Sequence, residues 1–321
     1  MSESNYKKSE CVVIEKVKDL NIQNCDYKKI KKVEFKPLFT CHDMGFKTTP
    51  NELKEKVIID FIKNFKNVEE IIFPNDLYEI PDNAFKDFKK LHKITLPQNI
   101  KVIGECAFFN CDLYECDLGY TNSLYALGDD AFSNNKNLAT LTILSNKLNL
   151  TSDGELITAF TDCPNLKSIT VTKSNIETIM PKVFRSFPYV KTITLPYNIK
   201  HIGRMAFGGM INLETIYLPY LLNSIDAYAF YDCFQLKNFR FTDNLKFIGD
   251  NAFRSCYSLE KLVLPKSVAE IGDFAFESCT KLKVQLSKHT KVHKNTFSKC
   301  LKVKYIDKKE KVIEDQDCKE I

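Results

Sequence analysis

The chain has no tryptophan in its 321 residues, only 5 histidines, and no long apolar run. Its unbroken apolar stretches are a few residues each, far short of the ~20 that a membrane-spanning helix needs. No transmembrane segment is therefore expected. The N-terminal MSESNYKKSECVVIEK also lacks the apolar core of a secretory signal. Without such a signal the 12 cysteines are expected to stay reduced rather than form a disulfide framework, and Asn149-Leu150-Thr151 carries little information as a glycosylation motif. No Gly-rich phosphate loop, nucleophile elbow or His-Glu-x-x-His stands in the chain. Charge is not one-sided: 46 Lys and Arg oppose 41 Asp and Glu, a net charge of +5. The basic pairs Lys7-Lys8, Lys28-Lys29 and Lys308-Lys309 do not make the basic stripe of a nucleic-acid binder. These absences argue against an enzyme and against a bound cofactor or nucleic acid.

What the chain does have is 24 phenylalanines, many of them in phase. Ile202-Gly203 returns as Ile225-Asp226 and Ile248-Gly249, and Ala206-Phe207 returns as Ala229-Phe230 and Ala252-Phe253, a period of 23 residues. Length alone would suggest two domains, but a fixed period signals a repeat array that needs no second core. The phase-marking residues are Phe85, Phe108, Phe132, Phe160, Phe184, Phe207, Phe230, Phe253, Phe276 and Phe297. An aliphatic residue usually precedes each by five positions, a Leu or Val follows by six, and Cys often follows by three, as at Cys111, Cys163, Cys233, Cys256, Cys279 and Cys300.

One unit reads as follows. Ala-Phe-x-x-Cys-x-x-Leu has apolar residues three apart, which predicts one or two helical or 3₁₀ turns with one side inward. Leu213-Glu214-Thr215-Ile216-Tyr217-Leu218-Pro219 alternates, which predicts a half-buried strand that Pro terminates. Ile-x-x-Ile-Gly then turns the chain back. Strands of successive units would stack in parallel about 4.8 Å apart, with the Phe residues forming an internal spine. Each buried Phe would contribute about 1.5–3 kcal/mol.

Leu-x-x-Ile-x-Leu-Pro-x-x-Ile-x-x-Ile-Gly-x-x-Ala-Phe-x-x-Cys-x-x-Leu resembles the BspA-like class of leucine-rich repeats over residues 62–305. The resemblance implies an α/β repeat fold, a right-handed leucine-rich-repeat solenoid of about ten turns. Parallel strands would lie on one face and short helical turns on the other. It also implies a surface protein attaching to host matrix or cells. The chain departs from its own pattern at 116–120, CDLGY, and between Phe132 and Phe160, where about five extra residues in LSNKLNLTSDGEL make a surface loop.

The flanks differ from the array. Residues 1–61 carry no repeat. Within them 11–17 and 30–35 are candidate strands, and Thr49-Pro50-Asn51-Glu52 opens a helix. Leu53, Val57, Ile58, Phe61, Ile62 and Phe65 would form its apolar face and cover the end of the array. Residues 306–321 are a charged tail with one candidate strand at 311–313, and no cap is evident there, so end-to-end association stays open.

Chemistry-bearing residues are few. The in-phase Cys residues read as small buried apolar groups. Cys106, Cys111 and Cys116 lack the Cys-x-x-Cys spacing of zinc sites and fall at different phases. His289 and His293 face water, and no metal is expected there. Cys41-His42 and the loop near Asn149 are the places an activity would have to hide. Cys318, four from the end, sits where a prenylated Cys would, but charged residues follow it and lipidation is not favoured.

The outward strand positions are the better candidates for function. Thr142, Thr170, Thr194, Thr215, Tyr217, Arg240 and Lys261 fall on one extended face, the kind of surface repeat proteins offer to partners. Tyr217 and Arg240 are its natural anchors, since Tyr and Arg dominate binding hot spots. The expected function is a non-enzymatic protein-binding or adhesion scaffold, with a host matrix or cell-surface protein as partner. The other reading is an intracellular scaffold that binds a cytosolic partner on the strand face. Localisation is expected to be cytoplasmic, or peripheral at the cell surface by a non-classical route.

Overall fold

The structure, a computed structural model, describes residues 10–14, 27–35, 51–144, 156–172, 177–237, 239–306 and 312–317. It is a parallel β-solenoid of leucine-rich-repeat type with about 11 turns. It divides into two compact units, residues 1–142 with 150–152 and 158–166, and residues 143–149 and 153–157 with 167–321.

In the first unit the strands Cys11–Ile14, Lys32–Phe35, Glu70–Ile72 and Lys93–Thr95 pair in parallel, each with the next. The strand Glu115–Leu118 lies beside Thr140–Leu144. Among the described residues the stacked sheet thus includes two strands, Cys11–Ile14 and Lys32–Phe35, that lie upstream of residue 62. The two leading strands alternate half-buried and buried residues, so Val12, Ile14, Val33 and Phe35 enter the core. They lack the Ala-Phe signature, which is why periodicity misses them. The helix Asn51–Ile62 is consequently inserted between two rungs of one sheet instead of preceding the first rung. Ile58, Ile59, Phe61 and Ile62 are buried, whereas Val57, expected on the apolar face, is exposed. The proposed cap at Thr49 and Pro50 lies outside the described residues.

The second unit carries the strands Ser168–Thr172, Thr192–Thr194 and Thr215–Tyr217, paired in register. A second group, Lys261–Val263, Lys283–Ser287 and Lys302–Ile306, is paired in the same way. The strand Val312–Asp317 then runs antiparallel along Lys302–Ile306. The expected strand at 311–313 is therefore longer, and it covers an edge that would otherwise show unpaired N–H and C=O groups.

The Ile-Gly segment, read as a simple turn, forms a second ladder of two-residue strands. Thr178–Ile179, His201–Ile202, Ser224–Ile225, Phe247–Ile248, Glu270–Ile271 and Lys291–Val292 pair in parallel in the second unit. Glu79–Ile80, Val102–Ile103 and Ala126–Leu127 do so in the first. Several glycines permit this close stacking. A Cβ on Gly249 would lie 2.5 Å from the Ala227 amide nitrogen.

The expected helical turns are replaced by paired tight turns. Around Phe85, Ala84 N–H donates to Pro81 and Phe88 N–H donates to Phe85, closing two four-residue turns. Their third residues, Asn83 and Asp87, have φ of 56° and 64°, the conformation such turns demand. Helix propagation stops at each of them. The amides of Asn83, Phe85 and Asp87 instead donate to the carbonyls of Glu105, Ala107 and Phe109 in the next turn. The same arrangement surrounds Phe207 and Phe230. Among the described residues of the array, the only element assigned as helix is the 3₁₀ turn Leu156–Ala159.

Between these faces sit the phenylalanines. In the first unit Phe85, Phe108, Phe132 and Phe160 stack with centroids 5.2–5.4 Å apart. In the second, Phe184, Phe207, Phe230, Phe253, Phe276 and Phe297 stack at 5.0–5.5 Å. Offset aromatic pairs of this kind add about 0.5–1.5 kcal/mol beyond area burial.

Candidate partner-binding site

Along the strand face of the second unit, inward Ile169, Ile193, Ile216 and Leu262 are buried, and the residues between them point outward. Thr170, Thr194 and Tyr217 are register partners and form one column. Thr192 and Thr215 form the neighbouring one. Lys261 opens a further set with Lys283 and Lys302. Thr142 is half-buried and belongs to the first unit. Tyr217 is 73% exposed, and Arg240 is exposed.

The face is interrupted between Tyr217 and Lys261. The turn that should supply a strand there reads Leu236-Lys237-Asn238-Phe239-Arg240-Phe241-Thr242, with Phe in both aliphatic positions and Thr in place of Pro. Phe239 packs edge-on to Phe230 at 5.4 Å and to Phe253 at 4.9 Å. Phe241 sits edge-on to Phe239 and Phe253 at 5.0 and 5.7 Å. Rings of this size do not fit where Ile and Leu fit, and residues 239–241 are not in a strand. The second ladder continues unbroken beside this point, from Ser224–Ile225 to Phe247–Ile248. The disruption is therefore local to the exposed strand face.

A cleft of about 560 Å³ opens at the interruption. Ile216, Tyr217, Leu218 and Tyr220 line one side, and Phe239, Arg240, Phe241, Thr242 and Asp243 line the other. Tyr220 is 67% exposed. Thr242 Oγ1 is buried and has no hydrogen-bond partner among the described residues. The cleft offers aromatic surface, one cation, one carboxylate and polar groups, which suits recognition and contains no nucleophile–base pair. Sequence reading identifies Tyr217 and Arg240 but misses Tyr220 and the cleft. The signal available was the double Phe at 239 and 241, which breaks the Ile-x-Leu-Pro pattern.

The remaining sequence candidates scatter. Cys111 and Cys116 are buried, Cys106 is half-buried, and each faces different neighbours. Burial pushes the Cys111 thiol up to about 12, so it is a neutral thiol near pH 7 and a poor nucleophile or ligand. His293 Nε2 lies 3.2 Å from Glu270, which also holds Lys291 at 2.7 Å. The Lys291 ammonium, followed by His293, pulls the Glu270 carboxyl below the usual carboxylate value. His289 is exposed and its amide bonds Ser287 Oγ. Among the described residues no three His, Cys, Asp or Glu side chains converge on a metal position, and no helix is long and apolar enough to cross a membrane. Cys41, His42, Asn149 and Cys318 lie outside the described residues.

Comparison with known proteins agrees with this architecture. The BspA type leucine rich repeat region family matches residues 55–186 and 156–283, in six copies. A leucine-rich repeat protein of T. pallidum is 32% identical over 37% of this chain and 57% of its own, with a TM-score of 0.36. A leucine rich cell surface protein from Faecalibacterium prausnitzii is 20% identical over 86% of this chain and 73% of its own, with a TM-score of 0.37. A leucine-rich repeat protein from Bacteroides ovatus is 20% identical over 72% and 85%, with a TM-score of 0.32. No curated protein matches the sequence.

Proposed function

The chain belongs to the BspA-type leucine-rich repeat family, and from that premise we propose that it is a protein-binding scaffold whose docking site is the interrupted strand face around Tyr217 and Arg240. Leucine-rich-repeat folds are typically non-enzymatic scaffolds and generally bind proteins. The observation that carries the assignment is the cleft. It is the place where the strand face of the second unit is interrupted, and exposed Tyr217, Tyr220 and Arg240 meet there. Tyr and Arg supply large, amphipathic contact area at a binding centre. The partner is a protein, and adhesion to a host matrix or cell-surface protein is the form of binding that the family resemblance favours.

A second reading, an intracellular partner on the same face, draws on the thiols. Seven of the nine described cysteines are buried, and buried thiols of this kind fit a reducing compartment.

Two measurements test the proposal. The first is binding of the full chain and of a Tyr217→Ala/Arg240→Ala variant to an array of purified matrix and cell-surface proteins. A ligand that loses at least about tenfold in affinity with the variant supports the site, whereas equal binding removes it. The second is antibody staining of intact and permeabilised source cells. Signal only after permeabilisation rejects adhesion in favour of the intracellular reading.

A further inference from the structure

We infer that the group held in the cleft is a neutral hexopyranose, a glycan carried by the protein partner; the inference rests on the cleft being the docking site. The cleft has two unlike walls. Tyr217 and Tyr220 belong to one turn, and Arg240 and Asp243 follow them on the next, each 23 residues later. The two rings are 73% and 67% exposed, and Arg240 and Asp243 are exposed as well. Among the described residues no hydrogen bond, ion pair or ring contact engages any of these four side chains; only the main-chain oxygen of Tyr220 is used, by Asn244 Nδ2 at 2.8 Å. Elsewhere in the second unit such side chains satisfy one another. Arg204 lies over the Tyr228 ring at 4.9 Å, and Tyr231 meets that ring edge-on at 5.7 Å. Tyr257 stacks on Phe234 at 5.2 Å, Lys167 lies over Tyr189 at 5.2 Å, and Arg254 Nε pairs with Glu277 at 2.8 Å. The tyrosines and the arginine of the cleft are left facing solvent.

Size and chemistry together select the ligand. A volume of about 560 Å³ falls within the roughly 300–1,000 Å³ of small-ligand sites, whereas a protein surface docking directly would spread over about 800 Å². The Asp243 carboxylate only accepts hydrogen bonds, and the Arg240 guanidinium only donates them. A hydroxyl does both, so a ring edged with hydroxyls serves the two groups at once. A simple anion would satisfy Arg240 but meet Asp243 as a like charge. An apolar ligand would cover both charges and leave them without partners. A hexopyranose also presents a patch of C–H bonds on one face, and the negative face of a tyrosine ring attracts such positively polarised hydrogens. The aromatic wall thus supplies the stacking surface, and the charged wall reads the hydroxyls.

The test is binding of the full chain to an array of immobilised neutral oligosaccharides ending in galactose, glucose, mannose or N-acetylglucosamine, with a sialylated oligosaccharide as the anionic counterpart. Saturable binding to a neutral oligosaccharide that falls at least about tenfold in a Tyr217→Ala/Tyr220→Ala variant supports the inference. The replaced side chains are exposed, so the variant's thermal midpoint should not drop, and that melt serves as the folding control. Absence of binding to every neutral oligosaccharide, or binding indifferent to loss of the rings, overturns it. Tighter binding of the sialylated oligosaccharide overturns it in favour of an anionic ligand. If no oligosaccharide binds, but an enzymatically deglycosylated matrix or cell-surface protein does and loses at least about tenfold in affinity with the Tyr217→Ala/Arg240→Ala variant, the glycan is rejected and the docking site stands. If neither oligosaccharide nor protein binding responds to changes in the cleft, both fail together.

Discussion

The Sγ of Cys256 donates a hydrogen bond to the main-chain oxygen of Phe230, one turn earlier, at 3.2 Å. The same oxygen accepts the Cys233 amide at 3.3 Å, so both of its lone pairs are engaged. Cys111, Cys163, Cys233, Cys279 and Cys300 repeat the contact on Phe85, Phe132, Phe207, Phe253 and Phe276. Asn135 fills the same slot and reaches Phe108 and Phe132 through its amide at 2.9 and 2.7 Å. The in-phase cysteines are therefore small and buried, as their spacing suggests, and they also tie each turn to the one before.

Buried thiols make the fold sensitive to alkali. Burial raises Cys279 from 9.0 to about 12 and Cys163 to about 11, and raises Cys256 well above the usual value. Because the folded values exceed the unfolded one, this stabilisation is complete below about pH 9 and is lost as pH climbs toward 12. Urea midpoints should fall from pH 9 upward, and less steeply in a Cys256→Ala variant. Mapping by alkylation should find Cys233, Cys256 and Cys279 protected until urea unfolds the chain. Native-state labelling at those three positions would contradict the assignment.

Phe230 contacts the rings of Phe207, Phe253 and Phe239. Phe230→Ala should cost about 3–5 kcal/mol, as for a fully buried ring. Denaturant unfolding measures it, and a loss under about 1 kcal/mol would mean that the stack does not hold the turns together.

Lys182 is exposed, with φ of 62° at the third position of a tight turn. A non-glycine residue there costs roughly 1–2 kcal/mol of backbone strain, partly offset by glycine's greater unfolded-state freedom, about 0.5–1 kcal/mol. Lys182→Gly should therefore leave stability unchanged or raise it by up to about 1 kcal/mol. Destabilisation beyond about 0.5 kcal/mol in thermal melts would show that the turn geometry is different.

Gly249 illustrates the opposite constraint. Its added Cβ would stand 2.5 Å from the Ala227 nitrogen and 2.7 Å from the Asp226 carbonyl carbon, both backbone atoms. Gly249→Ala should cost about 1–3 kcal/mol through the local shift it forces. Full stability in the alanine variant would mean that the stacked turns can separate freely at this level.

The sequence by itself determined the repeat. In-phase Phe, Ala, Leu and Ile say which residues are buried, because a solenoid must bury the same positions in every turn. It also marked Thr170, Thr194, Tyr217 and Arg240 as outward, because alternation in a strand is local. Tertiary structure alone decided the rest. The tight turns around each Phe depend on residues such as Asn83 and Lys182 accepting a positive φ, and the amide bonds to the next turn that secure it are non-local. The leading strands at Cys11–Ile14 and Lys32–Phe35 join the sheet by register across long separations, without the signature of the repeat. The cleft arises because two aromatic rings displace a rung, and its two walls face each other because stacking brings residues one period apart side by side. Both are products of turn-on-turn register, which no single stretch of chain contains.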